Sequence, residues 1–200
     1  MNIFVLSTDP KEAAEFHCDK HVVKMILETG QMLCAAHWMS WQRELKPDNL
    51  KPIKMKAWLE QHVPASRQPP WKMTHVNHPC TQWAHMSDEN YSWLLSLGVA
   101  LCEEYRVRYG KVHKSETVLK WLDENRPISF VISGRTPFAV AMPEDCKISS
   151  DPVDCYRQYY RVHKRRMAKW KTQTPEWFNQ TACDASDTEP LSPTEQRRPS

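Results

Sequence analysis

"PCTQWAHMSDENYSWLLSLGVALCEEYRVR" occupies residues 79–108, and its reading decides the fold. Trp83, Met86, Tyr91, Leu94, Leu95, Leu97, Val99 and Leu101 supply apolar positions along it, and no proline follows Pro79 to break it. Asn77 or His78 is placed to cap the start, and Pro79 suits a first helical turn. The stretch predicts one long central helix running from Pro79 to Arg108.

On the N-terminal side, "NIFVL" (2–6) is a short apolar run that predicts a strand or extended segment. Asp9 as cap, Pro10 at the first helical position and Glu12 in the first turn then start a helix expected to continue to about Met39. Residues 46–77 are rich in Pro, Lys and Gln, which predicts a surface excursion with a short helix at 53–62. On the C-terminal side, Ser115 is the expected cap of a short helix within 114–125. The stretch 126–146, with Pro127, Gly134, Pro137 and Pro143, predicts irregular chain. Asp151-Pro152 opens a last helix expected to reach about Lys171. The sum is a mainly α protein: a compact helical bundle, 1–180, with a short N-terminal extended segment, irregular loops, and a tail, 181–200, whose Ser, Thr, Pro and acidic composition predicts disorder.

Nine tryptophans in 200 residues demand a folded chain, some building the core and some free to stack at the surface. The formal charge of +3 divides into −2 on the tail and +5 on the rest, a balance that admits a phosphate-backbone partner. Seven cysteines lie scattered without a CxxC pair, and Met1–Leu6 stops at Ser7-Thr8-Asp9-Pro10 instead of continuing as a signal peptide. These features predict reduced thiols in a cytoplasmic, monomeric protein. No apolar run is long enough to span a bilayer.

Three polar clusters carry chemistry. In "FHCDKHVVKM" (16–25), helical spacing places His17, His21, Lys24 and Glu28 on one face, a combination suited to proton transfer and phosphate clamping. A zinc pair at His17 and His21 would need a third ligand from His75, His78, His85 or Cys80 at no recognised spacing, so neither metal nor other cofactor is expected. In "THVNHPCTQW" (74–83), His78 sits at a helix start, where exposed N–H groups favour anions. In 151–171, seven Lys or Arg against two Asp interleave with Tyr156, Tyr159, Tyr160 and Trp170. Arg157, Tyr160, Arg161, Lys164 and Arg165 there, with Lys20 and with Arg106, Arg108, Lys111 and Lys114 of "RVRYGKVHK" (106–114), are the expected nucleic-acid contacts.

The strings "DPKEAAEFHCDKHVVKMILETGQML" (9–33), "NHPCTQWAHMSDENYSWLLSLGVALCEEYRVRYG" (77–110) and "YRQYYR" (156–161) together resemble the layout of phage pyrimidine-dimer DNA glycosylases of the endonuclease V type and their phage relatives, over about half the chain. The resemblance implies a helical fold that binds damaged duplex DNA, extrudes a base and cleaves its glycosidic bond through an N-terminal amine and a helical glutamate. By position, the amine would be that of Asn2 after removal of Met1, the glutamate would fall at about His21, and flanking arginines at about Lys20 and Lys24. A phage origin would place the protein in the host cytoplasm. Three functions stay open: a DNA-acting enzyme, glycosylase-like or base-modifying, on a flipped base; a non-catalytic nucleic-acid-binding protein; and a small enzyme of nucleotide metabolism.

Overall fold

Two long helices set the architecture, α2 (Asp19–Leu45) and α5 (Asp88–Tyr109), in a computed structural model that describes residues 1–46 and 51–179. Around them lie α1 (Pro10–Phe16), α3 (Pro52–His62), α4 (Pro79–Met86), α6 (Glu116–Glu124), α7 (Pro152–Tyr159) and α8 (Glu176–Asn179). The fold is mainly α, and no strand occurs among the described residues. The tail expected at 181–200 lies outside them.

Helices α2 and α5 meet where Gly98 has no side chain. A Cβ there would stand 2.7 Å from Thr29 Cγ2, so only glycine permits the approach. Met25, Ile26, Met32 and Leu33 of α2 join Tyr91, Leu94, Leu97 and Leu101 of α5 in one core, all at most 1 % exposed. A smaller cluster of Trp38, Met55, Leu59 and Val63 seats α3 against the far end of α2. The predicted helix at 53–62 is therefore present.

Both long predicted helices are broken once. The first stops at Phe16 and restarts at Asp19, because the Arg108 guanidinium donates to the carbonyls of Glu15 and His17 at 2.9 and 2.7 Å. Those donors satisfy acceptors that a helix end leaves without partners. The central helix breaks at Ser87, whose extended backbone lets its hydroxyl accept from Asn90 N at 3.1 Å. Asn90 then donates to Trp83 O and to Thr136 Oγ1, and accepts from Thr136 N, pinning the irregular 126–146 stretch against the break. Ser115 precedes α6 but its hydroxyl makes no cap bond. The last helix is shorter than predicted: α7 ends at Tyr159 and a π turn follows over Tyr160–Lys164.

The first residues are extended and buried, with Ile3, Val5 and Leu6 at 0 % exposure, and form no strand. Asn2 Oδ1 accepts from Ile3 N and Phe4 N at 2.8 and 3.2 Å, a local turn that holds Phe4 at φ 34°. Positive φ is rare for a bulky residue, and side-chain-to-backbone bonds of this Asx type are what support it. Asn2 Nδ2 also donates to Ala141 O at 2.7 Å, so the 126–146 stretch clamps the chain start.

No tryptophan is exposed. Trp38, Trp83, Trp93 and Trp177 are buried, while Trp41, Trp58, Trp71, Trp121 and Trp170 are half-buried. No helix among the described residues is long and apolar enough to cross a membrane.

Candidate functional site around Glu28

Phe4, fixed by Asn2, stacks on His21 with ring centroids 4.3 Å apart and on Tyr159 at 5.8 Å. These rings wall a cavity of about 140 Å³ whose polar lining comes from Met1, Asn2, Lys24, Glu28 and Lys164. Glu28 is 7 % exposed and carries three partners. Asn2 N donates to its Oε2 at 3.1 Å, the α-amine at Met1 lies 3.7 Å from the same oxygen, and Lys24 Nζ lies 3.2 Å from Oε1. The Lys24 side chain is 66 % exposed, so its ammonium stands between the buried carboxylate and solvent. Lys164 lies over the Tyr159 ring at 4.6 Å and supplies a second cation to the lining.

His21 sits in the lining, 6 % exposed, with Nδ1 2.5 Å from the Tyr160 hydroxyl. Burial, then the charges of His17, Lys164 and Lys24, lower its pKa to about 3, so the imidazole is neutral near pH 7. His78 caps α4, its Nδ1 accepting from Cys80 N at 3.2 Å. Its pKa is lowered by partial burial, by the α-amine and by His75, while Glu28 pulls it upward, which places it within electrostatic reach of the site.

Of the predicted catalytic residues, the structure brings His21, Lys24 and Glu28 together on α2, with His78 nearby. His17 is absent from the cavity lining, although its ring lies 6.4 Å from that of His21 and 6.2 Å from that of Phe4. It ends α1, is 0 % exposed, and hydrogen-bonds Ala13 O through Nδ1 at 2.6 Å. The helix break leaves its backbone outside α2, and burial lowers its pKa to about 4. Glu28, two turns beyond His21, is the carboxylate that faces the chain start. The importance of Asn2 as the support for Phe4 could not be read from spacing, since the bond partners are backbone groups brought in by the fold.

The predicted nucleic-acid contacts divide in the same way. Arg108 has 0 % side-chain exposure and is held by Asp19 at 3.1 Å and Glu104 at 2.7 Å. Tyr160 is fully buried, as is Tyr156, so neither offers a face to a base. Arg106 pairs with the buried Glu116 at 2.5 Å. Arg157 donates to Leu6 O, and Arg161 to Gln158 and to Trp177 O, so both are tied to the chain. Lys20, Lys111, Lys114 and Arg165 are exposed, and Lys164 is half-buried at the cavity. The two basic stretches do meet: Lys171 lies 4.4 Å over the Tyr109 ring, its N–H donates to Asp19, and Asp19 N donates to Lys169 O.

A larger cleft, about 660 Å³, lies between Glu15, Glu104, Arg157 and the 172–177 segment. It holds none of the predicted catalytic residues, and its Glu104 is spent on Arg108. The smaller cavity has the convergent titratable groups that chemistry requires. No family model, curated protein or solved structure matches the chain.

Proposed function

We propose that this protein is a DNA-acting enzyme of the glycosylase type, in which an amine at the chain start attacks the sugar of an extruded nucleotide and Glu28 assists. The observation that carries the reading is the approach of Asn2 N and the Met1 α-amine to Glu28 Oε2, at 3.1 and 3.7 Å. A buried carboxylate beside an amine can take its proton and then stabilise positive charge on the sugar. The amine is that of Met1 or, after its removal, of Asn2.

The unprotonated amine nitrogen bonds to C1′, the N-glycosidic bond breaks, and the base leaves with its bonding electrons and takes up a proton. Glu28 receives the proton the nitrogen loses. Glu28 then returns its proton to the sugar ring oxygen as the C1′–O4′ bond breaks, giving a Schiff base that a hydride donor would reduce to a stable amine. Glu28 here fills the role that the sequence resemblance placed near His21. His21 is neutral and sandwiched by aromatic groups, so it shapes the cavity and offers a hydrogen bond. Lys20, Lys164 and Arg165 lie where they can contact phosphates. A cavity of about 140 Å³ is small, so the duplex would have to present one extruded group at a time.

The test is borohydride trapping on labelled duplexes carrying an abasic site, uracil or a cyclobutane dimer, with intact mass measured to define the N-terminal residue. The reading predicts a covalent protein–DNA adduct that disappears when residues are appended before Met1. Salt-sensitive binding without any adduct on any of these duplexes would reject the amine chemistry and leave a binding protein or a base-modifying enzyme.

A further inference from the structure

A second polar cluster lies outside this cavity. The 3₁₀ turn Glu144–Cys146 and the π turn Tyr160–Lys164 bring Asp145, Cys146 and His163 together, with one ligand atom from each lying within 4.8 Å of the others. His163 Nε2 is 2.7 Å from Asp145 Oδ2, and Cys146 Sγ is 3.7 Å from Asp145 Oδ1. Cys146 is buried at 0 % exposure, while the side chains of Asp145 and His163 are 56 % and 38 % exposed. Among the described residues no other group of three such side chains converges.

We propose that Asp145, Cys146 and His163 bind a zinc-class divalent ion through one carboxylate oxygen, Sγ and Nε2, leaving a fourth position for water. Thiolate, imidazole and carboxylate are the three donor types that zinc accepts. Bond lengths of about 2.0–2.3 Å in a tetrahedral site hold ligand atoms roughly 3.5 Å apart, so closure needs shifts on the order of 1 Å. The Asp145–His163 pair is already closer than that, and both of its residues sit on turns at the surface. Buried sulfur beneath two exposed ligands gives the ion an entry path and a dry side. Binding deprotonates the Cys146 thiol, the proton leaves to solvent, and nothing is oxidised or reduced.

The π turn gives the site a consequence for the rest of the molecule. Such turns are uncommon and concentrate at functional positions. His163 precedes Lys164, which lines the Glu28 cavity, and its ring packs 5.6 Å from Tyr159, which forms a wall of that cavity. An ion at His163 would therefore tie the turn that carries Lys164 to the 143–147 stretch. Nothing in this inference depends on the chemistry proposed at Glu28. The sequence separation of Cys146 and His163 matches no metal motif, so only the fold brings them together.

The test is cobalt(II) titration of the full chain, stripped with chelator and kept in a non-thiol reductant, followed by near-ultraviolet and visible absorption. The expected result is one equivalent of cobalt with a thiolate-to-metal charge-transfer band, displaced by zinc. Cys146→Ser removes the band, and His163→Ala weakens binding at least tenfold. Cys155→Ala leaves both unchanged. Exposed His163 can be replaced without unfolding the chain, which circular dichroism verifies. A folded wild-type chain with no charge-transfer band, or a band that survives Cys146→Ser, overturns the site. A band lost in Cys155→Ala overturns the ligand set.

Discussion

Arg108 and Lys24 belong to two regions to which the sequence assigned function, Arg108 as a nucleic-acid contact and Lys24 as a catalytic group. In the region between α1, α2 and α5, every direction of the Arg108 guanidinium is taken, by two carboxylates and two backbone carbonyls, with no side-chain exposure. Around Glu28, one exposed ammonium, one amine and one backbone N–H share a carboxylate on the wall of an open cavity. The first region is closed and holds the chain together. The second has charged groups with solvent on one side, which is what a substrate needs. The contrast teaches that a cation's remaining donors, more than its presence, separate a structural clamp from a site.

The sharpest way to break the contrast is to remove each cation. Arg108→Met should cost about 3–5 kcal/mol, because it leaves Asp19 and Glu104 without their buried partner and two helix-end carbonyls unsatisfied. Urea unfolding measures this, and Lys24→Met in the same assay should change stability by less than about 1 kcal/mol. A small loss at Arg108 would erase the distinction.

Glu28→Gln tests the open region. It preserves shape and hydrogen-bond acceptance while removing the charge, and should lower the rate of borohydride-trapped adduct formation by roughly 10²–10⁴-fold. Melting temperature should stay close to wild type. An unchanged trapping rate would remove Glu28 from the chemistry.

Protonation probes the closed region without substitution. His17 has a pKa of about 4 when folded and an ordinary one near 6.5 when unfolded, owing first to burial. Between those values the unfolded chain binds the extra proton, so stability is full above about pH 6.5 and falls as pH drops toward 4. The slope is up to about 1.4 kcal/mol per pH unit for this group, or about 3 kcal/mol over the window. His17→Gln should flatten the pH dependence by that amount, read from urea midpoints at pH 7, 6, 5 and 4.

The smallest effects concern the rim. Lys20→Ala and Arg165→Ala should each reduce the slope of log affinity for duplex DNA against log salt by about 1. Arg106→Ala should leave it unchanged, since its guanidinium is engaged with Glu116. Equal slopes for all three would show that an ion pair to a buried carboxylate does not sort these exposed cations.

Much of this molecule follows from local sequence. Asp9-Pro10 starts α1, with Asp9 accepting from Glu12 N at 2.8 Å, and Asp151-Pro152 starts α7 in the same way. Periodicity supplies the core faces of α2 and α5, because a 3.6-residue repeat is a property of the chain itself. The α2 face His21, Lys24 and Glu28 was legible for the same reason.

Only tertiary structure decided the rest. The breaks at Phe16 and Ser87 depend on residues far along the chain: Arg108 donates to the backbone carbonyls of Glu15 and His17, and Thr136 N donates to the Asn90 side chain. Tyr156 and Tyr160 keep a spacing that suits a core stripe as well as a stacking face, and packing against the chain start buries both. The chain start meets Glu28 because Asn2 is clamped by Ala141. Local propensity specifies which residues share a helix face. Which face is closed, and which is left open to a partner, is set by contacts between segments that a linear pattern does not encode.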